Sequence, residues 1–209
     1  MKTNKIFIQG PSGILETVVT YPSEETVSAI GVVCHPHPLM EGTMNNKVVT
    51  TVGRAFNEMG WLSVRFNFRG VGASEGSYAD GIGEVDDVLA VLKWVSTEWP
   101  GIPIYLAGFS FGSFVAYCAA LQWPVKQLIV IAPPVHHFDF TNKPLPQCPW
   151  VVIQGEKDEV VPPKEVFDWI EFLEKKPQVI RFPDTGHFFH GKLVELRKEL
   201  IKSFFHVSS

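Results

Sequence analysis

The chain has 209 residues, 18 Lys and Arg against 22 Asp and Glu, a formal net charge of −4 and a hydrophobic share of 45%. The length suits one domain, residues 1–209, with a large core, and 16 Phe with 6 Trp exclude a disordered chain. No run of Lys and Arg occurs, so nucleic acid and anionic membranes have no electrostatic support as partners.

Cys34, Cys118 and Cys148 are far apart and form no Cys-x-x-Cys pair. They read as small buried hydrophobes in a reducing compartment. Met1 to Gly13 lacks the apolar run of a secretion signal. No stretch approaches the roughly 20 apolar residues of a membrane span. These features predict a cytoplasmic protein, monomeric or homodimeric.

Taken in order, Lys5–Gln9 and Ile14–Tyr21 read as antiparallel strands joined by the turn Gly10-Pro11-Ser12-Gly13. Ala29–Cys34 is nearly all apolar, as a strand buried on both faces must be. After a proline-rich loop, Val48, Val49, Val52, Ala55 and Phe56 have helical spacing, predicting a helix from Asn45 to Met59. Trp61–Asn67 is the next strand, and a Gly-rich loop follows from Arg69 to Ser77. Glu84–Trp99 is an amphipathic helix ended by Pro100-Gly101. Ile102–Ala107 is a strand running into Gly108–Gly112, and Phe114–Leu121 a helix. Leu128–Ile131, Trp150–Ile153 and Gln178–Arg181 complete the strands, and Lys164–Leu173 and Leu193–Phe205 the helices. This alternation predicts an α/β fold: a mostly parallel sheet, helices on both faces and an antiparallel N-terminal hairpin. Ligands of such sheets bind beyond the carboxyl ends of the strands.

Gly108-Phe109-Ser110-Phe111-Gly112 matches Gly-x-Ser-x-Gly between an apolar strand and an apolar helix. That context is a nucleophile elbow, a tight turn that lifts Ser110 above the sheet. It also sets the Phe111 N–H at a helix N-terminus, where it faces a developing oxyanion. A helix cap would explain the serine but not both glycines.

A serine hydroxyl needs a base. In chains with such an elbow the acid and then the histidine follow the serine. His136, His137, His187, His190 and His206 satisfy that order, and an acid on an intervening strand leaves the last three. His187 sits in the turn Asp184-Thr185-Gly186-His187 after a strand. His190 reads as a loop residue and His206 as a surface one. Asp158 follows the strand Trp150–Ile153 and is assigned to orient the imidazole. Glu156 and Glu159 are its rivals, and Asp184 is read as a turn former.

With these residues in view, the chain resembles the α/β-hydrolase superfamily, in particular the small bacterial hydrolases related to dienelactone hydrolases and serine esterases. The likeness rests on His35-Pro36-His37-Pro38, Asn67-Phe68-Arg69-Gly70-Val71-Gly72-Ala73-Ser74, the elbow, the Gly155–Pro162 loop and Gly186-His187-Phe188. It covers nearly the whole chain. Two departures stand out. Many relatives have His-Gly where this chain has His-Pro-His-Pro, and dienelactone hydrolases proper use cysteine where this chain has Ser110, so their substrate does not carry over. The resemblance implies a second oxyanion donor after Cys34: the His37 N–H, with Leu39 as rival, because Pro36 and Pro38 have no N–H. Larger members insert a cap domain before the acid strand. Here only Val135–Pro149 intervenes. No cap is expected, and His136, His137, Phe138, Phe140 and Leu145 are expected to line an open site.

Other motifs are weaker. His35-Pro36-His37 and His136-His137 with Asp139 lack the spacing of a zinc motif. Gly70-Val71-Gly72 and Gly81-Ile82-Gly83 do not complete a dinucleotide loop. Arg69 reads as a brace under the site. The expected activity is hydrolysis of a small ester or thioester, with no metal or other cofactor. Thioesterase, peptidase and a catalytically silent binding protein are the alternatives.

Overall fold

The computed structural model describes residues 1–23 and 26–205, and of Phe205 only the backbone. Within them the strands are β1 (Thr3–Gly10), β2 (Gly13–Thr20), β3 (Ile30–Cys34), β4 (Leu62–Phe66), β5 (Ile104–Phe109), β6 (Gln127–Ile131), β7 (Trp150–Gly155) and β8 (Gln178–Phe182). The α-helices are α1 (Lys47–Glu58), α2 (Ile82–Glu98), α3 (Phe111–Ala120), α4 (Pro163–Phe172) and α5 (Leu193–Phe205). The strands form one sheet in the order β1-β2-β4-β3-β5-β6-β7-β8. β2 pairs antiparallel with β1 and with β4, and all other pairs are parallel. This is the α/β-hydrolase arrangement implied by the resemblance.

The apolar runs of the central strands serve two cores by the period-2 alternation of side chains. Val32, Leu106, Leu128, Val130 and Val152 face one way, onto α2, α3 and α4. Val33, Ala107, Ile129, Ile131, Val151 and Ile153 face the other way, onto α1 and α5. The parallel pairing of β4, β3, β5, β6, β7 and β8 sets their carboxyl ends on one edge of the sheet, where the chemistry-bearing loops emerge. The β6–β7 connection carries no inserted domain. Among the described residues no helix is long and apolar enough to cross a membrane.

Several helix starts differ from the sequence expectation. α3 begins at Phe111 rather than Phe114, because the elbow enters the helix directly after the serine and Gly112 is its second residue. α2 begins at Ile82, two residues before Glu84. The Glu84 carboxylate reaches back to the N–H of Gly81 (2.8 Å) and of Ala79 (2.9 Å), satisfying donors that the helix start leaves open. α1 begins at Lys47, with the Asn46 side chain accepting from the Val48 N–H at 2.9 Å.

Candidate active site

The elbow is built by close approach. A Cβ at Gly108 would lie 2.1 Å from the Gly112 carbonyl oxygen, and one at Gly112 would lie 2.4 Å from the His35 carbonyl oxygen, so neither position admits a side chain. Between them Ser110 is held at φ 54°, ψ −124°, a strained conformation for a residue with a side chain. Its N–H donates to the Ile131 carbonyl (2.8 Å) and its carbonyl accepts from the Ser113 hydroxyl (2.6 Å), which fix the turn. The Ser110 hydroxyl makes no capping bond to α3.

It meets His187 instead. His187 Nε2 lies 3.1 Å from Ser110 Oγ, and Nδ1 lies 2.8 Å from Asp158 Oδ2. An ionised carboxylate only accepts, so Nδ1 carries the ring proton and Nε2 is left to accept from the serine. The ring packs against Phe109, centroids 4.9 Å apart, and is buried. Asp158 is held in turn. Its Oδ1 accepts from the Val160 and Val161 N–H groups at 2.9 and 2.7 Å, and its Oδ2 from Gln154 Nε2 at 3.2 Å. Burial pushes the Asp158 carboxyl up, but the His187 hydrogen bond and charge, with the two backbone donors, outweigh it and hold it below the usual carboxylate range.

Two further supports were not legible beforehand. Glu159, read as a solvated rival of Asp158, accepts from the His187 backbone N–H at 3.1 Å and so fixes the loop that delivers the ring. No local signal marks a contact across 28 residues between two strand-end loops. His35 is wholly buried. Its Nδ1 lies 2.6 Å from the Pro36 carbonyl, and its Nε2 accepts from the Phe68 N–H at 3.0 Å, tying the loop after β3 to that after β4. Both ring nitrogens are thereby used, and burial lowers the His35 pKa to about 4. Below the site Asp87 engages Arg69 through Nε and Nη2, the latter at 2.7 Å. Asp184 has φ 56°, as a turn former does, and pairs with Lys157 at the surface.

The oxyanion candidates separate by their hydrogen bonds. The Leu39 N–H is spent on His37 Nδ1 at 3.2 Å, in the short 3-10 turn Pro38–Met40, and its side chain is 68% exposed. The His37 N–H has no acceptor among the described residues, and the Phe111 N–H, first in its helix, has none within α3. Both residues line the cleft above Ser110. The His37 ring bonds the Tyr78 hydroxyl at 3.1 Å and packs tilted against Phe111, centroids 4.9 Å apart. Its pKa is lowered, first by burial and then by the charge of His137.

The cleft has a volume of about 280 Å³. His136, His137 and Phe138 line it, with Val160, Val161 and Phe188. Phe140 does not. It is 1% exposed and packs edge-on against Phe114, Tyr117 and Trp169, in the core under α3 and α4. Leu145 is half-buried against the same core. The linker turns one aromatic, Phe138, outward onto Phe114 and the next inward. Asp139, grouped with His136 and His137 in the sequence, accepts from Asn142. His190 does not line the cleft, and His206 lies outside the described residues.

A hydroxyl with an imidazole to take its proton, and a carboxylate behind that imidazole, is the equipment of serine hydrolases. Comparison with known proteins leads to the same class. A family model described as "Serine aminopeptidase, S33" matches residues 42–139, a segment that holds Ser110 but neither Asp158 nor His187. An uncharacterised protein of Rickettsia prowazekii (strain Madrid E) is 34% identical over 207 residues, 94% of this chain and 86% of that one. The structure of an α/β serine hydrolase homologue from Coxiella burnetii is 45% identical with a TM-score of 0.93, over 97% of this chain and 98% of that one. An α/β serine hydrolase without a lid from Xanthomonas campestris is 45% identical with a TM-score of 0.90, over 96% and 92%. The chain belongs to the α/β serine hydrolases.

Proposed function

We propose that the protein hydrolyses small or short-acyl carboxylic esters through an acyl-enzyme on Ser110. His187 takes the Ser110 proton as the hydroxyl attacks the carbonyl carbon. The oxyanion that forms is received by the N–H groups of Phe111 and His37. His187 then protonates the leaving alcohol, and in the second half it activates the water that releases the acid. Asp158 keeps the ring in the accepting tautomer and stabilises the imidazolium. The observation that carries this reading is the continuous hydrogen-bond path Asp158–His187–Ser110, with a 3.1 Å final link, at the floor of a small open cleft. Substrate reaches it from solution, and the expected setting is the cytoplasm.

The size of the cleft and the absence of a cap support short acyl groups. A p-nitrophenyl ester series tests this: kcat/KM peaks at acetate to butyrate, and a steady rise to long chains overturns it. Ser110→Ala abolishes turnover and leaves the melting temperature near wild type. A peptidase reading is favoured by the family model described as a serine aminopeptidase, so the same screen includes amino-acid p-nitroanilides. Faster turnover of these than of esters would replace the esterase reading.

A further inference from the structure

The chain has five arginines. Three have carboxylate partners: Arg69 with Asp87, Arg181 with Glu156 and Arg197 with Glu58. Arg54 and Arg65 have none among the described residues, and both line one cleft of about 270 Å³. They are eleven positions apart in the sequence, so no basic cluster announces them, and the fold brings them together.

The cleft opens where β4 and β2 pass out from beneath α1. β4 sends Leu62, Val64 and Phe66 into the core under α2, which leaves Ser63 and Arg65 on the opposite face. Thr20 pairs with Ser63 across the sheet, and Thr3 with Thr20. α1 contributes Thr50, Gly53, Arg54 and Asn57, at the i, i+3, i+4 and i+7 spacing of one helical face. No carboxylate among the described residues lines the space. Arg65 crosses α1 at Gly53, where a Cβ would lie 3.2 Å from Arg65 Cδ and 3.5 Å from Nε. Nη1 donates to the Met44 carbonyl at 2.8 Å. A guanidinium has five N–H donors, and the others of this half-buried group have no protein acceptor among the described residues. Burial, and then the like charge of Arg54, pull the Arg65 pKa below its ordinary range. The floor is already satisfied: Asn57 Nδ2 donates to the Thr20 and Trp61 carbonyls, and its Oδ1 accepts from the Ser63 hydroxyl. The two guanidiniums and the paired Thr3 and Thr20 hydroxyls, 3.3 Å apart, have capacity to spare.

We propose that this cleft binds a small oxyanion, a phosphate either free or carried on a compact metabolite, between the guanidiniums of Arg54 and Arg65. Guanidinium groups pair with phosphate oxygens through charge-assisted hydrogen bonds, and an anion there relieves the mutual repulsion of the two cations. The cleft is lined from β1, β2, β4 and α1, and it shares no lining residue with the cleft above Ser110. The ligand is therefore not the ester substrate, and this assignment stands or falls independently of the one made for Ser110.

Isothermal titration of the full chain with inorganic phosphate, and separately with glycerol 3-phosphate, at constant ionic strength tests the assignment. Wild type and Ser110→Ala bind one equivalent with equal affinity, and Arg54→Gln weakens binding at least about tenfold. Tighter binding of the ester identifies a phosphorylated metabolite, and tighter binding of the inorganic ion identifies free phosphate. Arg65→Gln weakens binding likewise, but it also removes the bond to Met44. The exposed Arg54 therefore decides the matter alone if the Arg65 variant does not fold. No saturable binding of either probe, or unchanged affinity in Arg54→Gln, overturns the proposal.

Discussion

Replacing Asp158 by Asn tests whether the carboxylate acts through the His187 tautomer. The structure determines how the amide must sit. Oδ1 receives the Val160 and Val161 N–H groups at 2.9 and 2.7 Å, so the amide oxygen has to occupy that position. The NH₂ then takes the place of Oδ2, 2.8 Å from His187 Nδ1. There it donates, Nδ1 becomes the acceptor, and the ring proton moves to Nε2. That nitrogen can no longer accept from Ser110 Oγ at 3.1 Å. Gln154 Nε2 donates to the same Oδ2 at 3.2 Å and to the Gly155 carbonyl at 3.0 Å, so in the variant it keeps the carbonyl and gives up the longer bond. A wrong tautomer of this kind costs about 10⁴ in kcat, or about 5 kcal/mol of transition-state stabilisation. KM stays close to wild type because Asp158 does not line the cleft. Steady-state kinetics on p-nitrophenyl acetate, with circular dichroism as the check on folding, measures this. A folded variant with kcat within about tenfold of wild type would refute the tautomer argument.

Two further outcomes follow from buried aromatic and imidazole groups. His35 ionises at about 4 in the folded chain, against 6.5 ordinarily. Between those values the unfolded chain binds a proton that the folded chain does not, so His35 supports stability above pH 6.5 and withdraws that support as the pH falls toward 4. The full window is worth about 3 kcal/mol. Urea unfolding from pH 7.5 to 4.5 shows a steeper loss for wild type than for His35→Gln, and equal slopes would contradict the assignment. Phe140 and Phe138 separate core from cleft. Phe140→Ala lowers stability by about 3–5 kcal/mol with KM for short esters unchanged. Phe138→Ala shifts KM with the smaller effect on the urea midpoint. The reverse pattern would show that the linker faces the other way.

The alternation of apolar strands and amphipathic helices made the fold legible, because strands buried on both faces and helices with one apolar stripe leave few other ways to pack. Ser110 was legible for a local reason: the two glycines and their flanking strand and helix lie within one short segment. Asp158 and His187 could be named only by chain order and position after strands. Their 2.8 Å contact is a product of the parallel pairing of β7 with β8. What escaped the sequence was non-local. Glu159 looks like any charged loop residue until β8 brings the His187 N–H to it. Phe138 and Phe140 are two positions apart in an irregular linker, where no period says which one turns inward. Arg54 and Arg65 sit on a helix and a strand whose crossing is set by the packing of α1 on the sheet.

The central claim is that Ser110 is made nucleophilic by its neighbours. Treatment of the native protein with a fluorophosphonate, followed by peptide mass mapping, tests it most directly. One adduct on the peptide containing Ser110, lost in His187→Ala, is the predicted result. A protein that stays unlabelled, or that is labelled at another serine, contradicts the account.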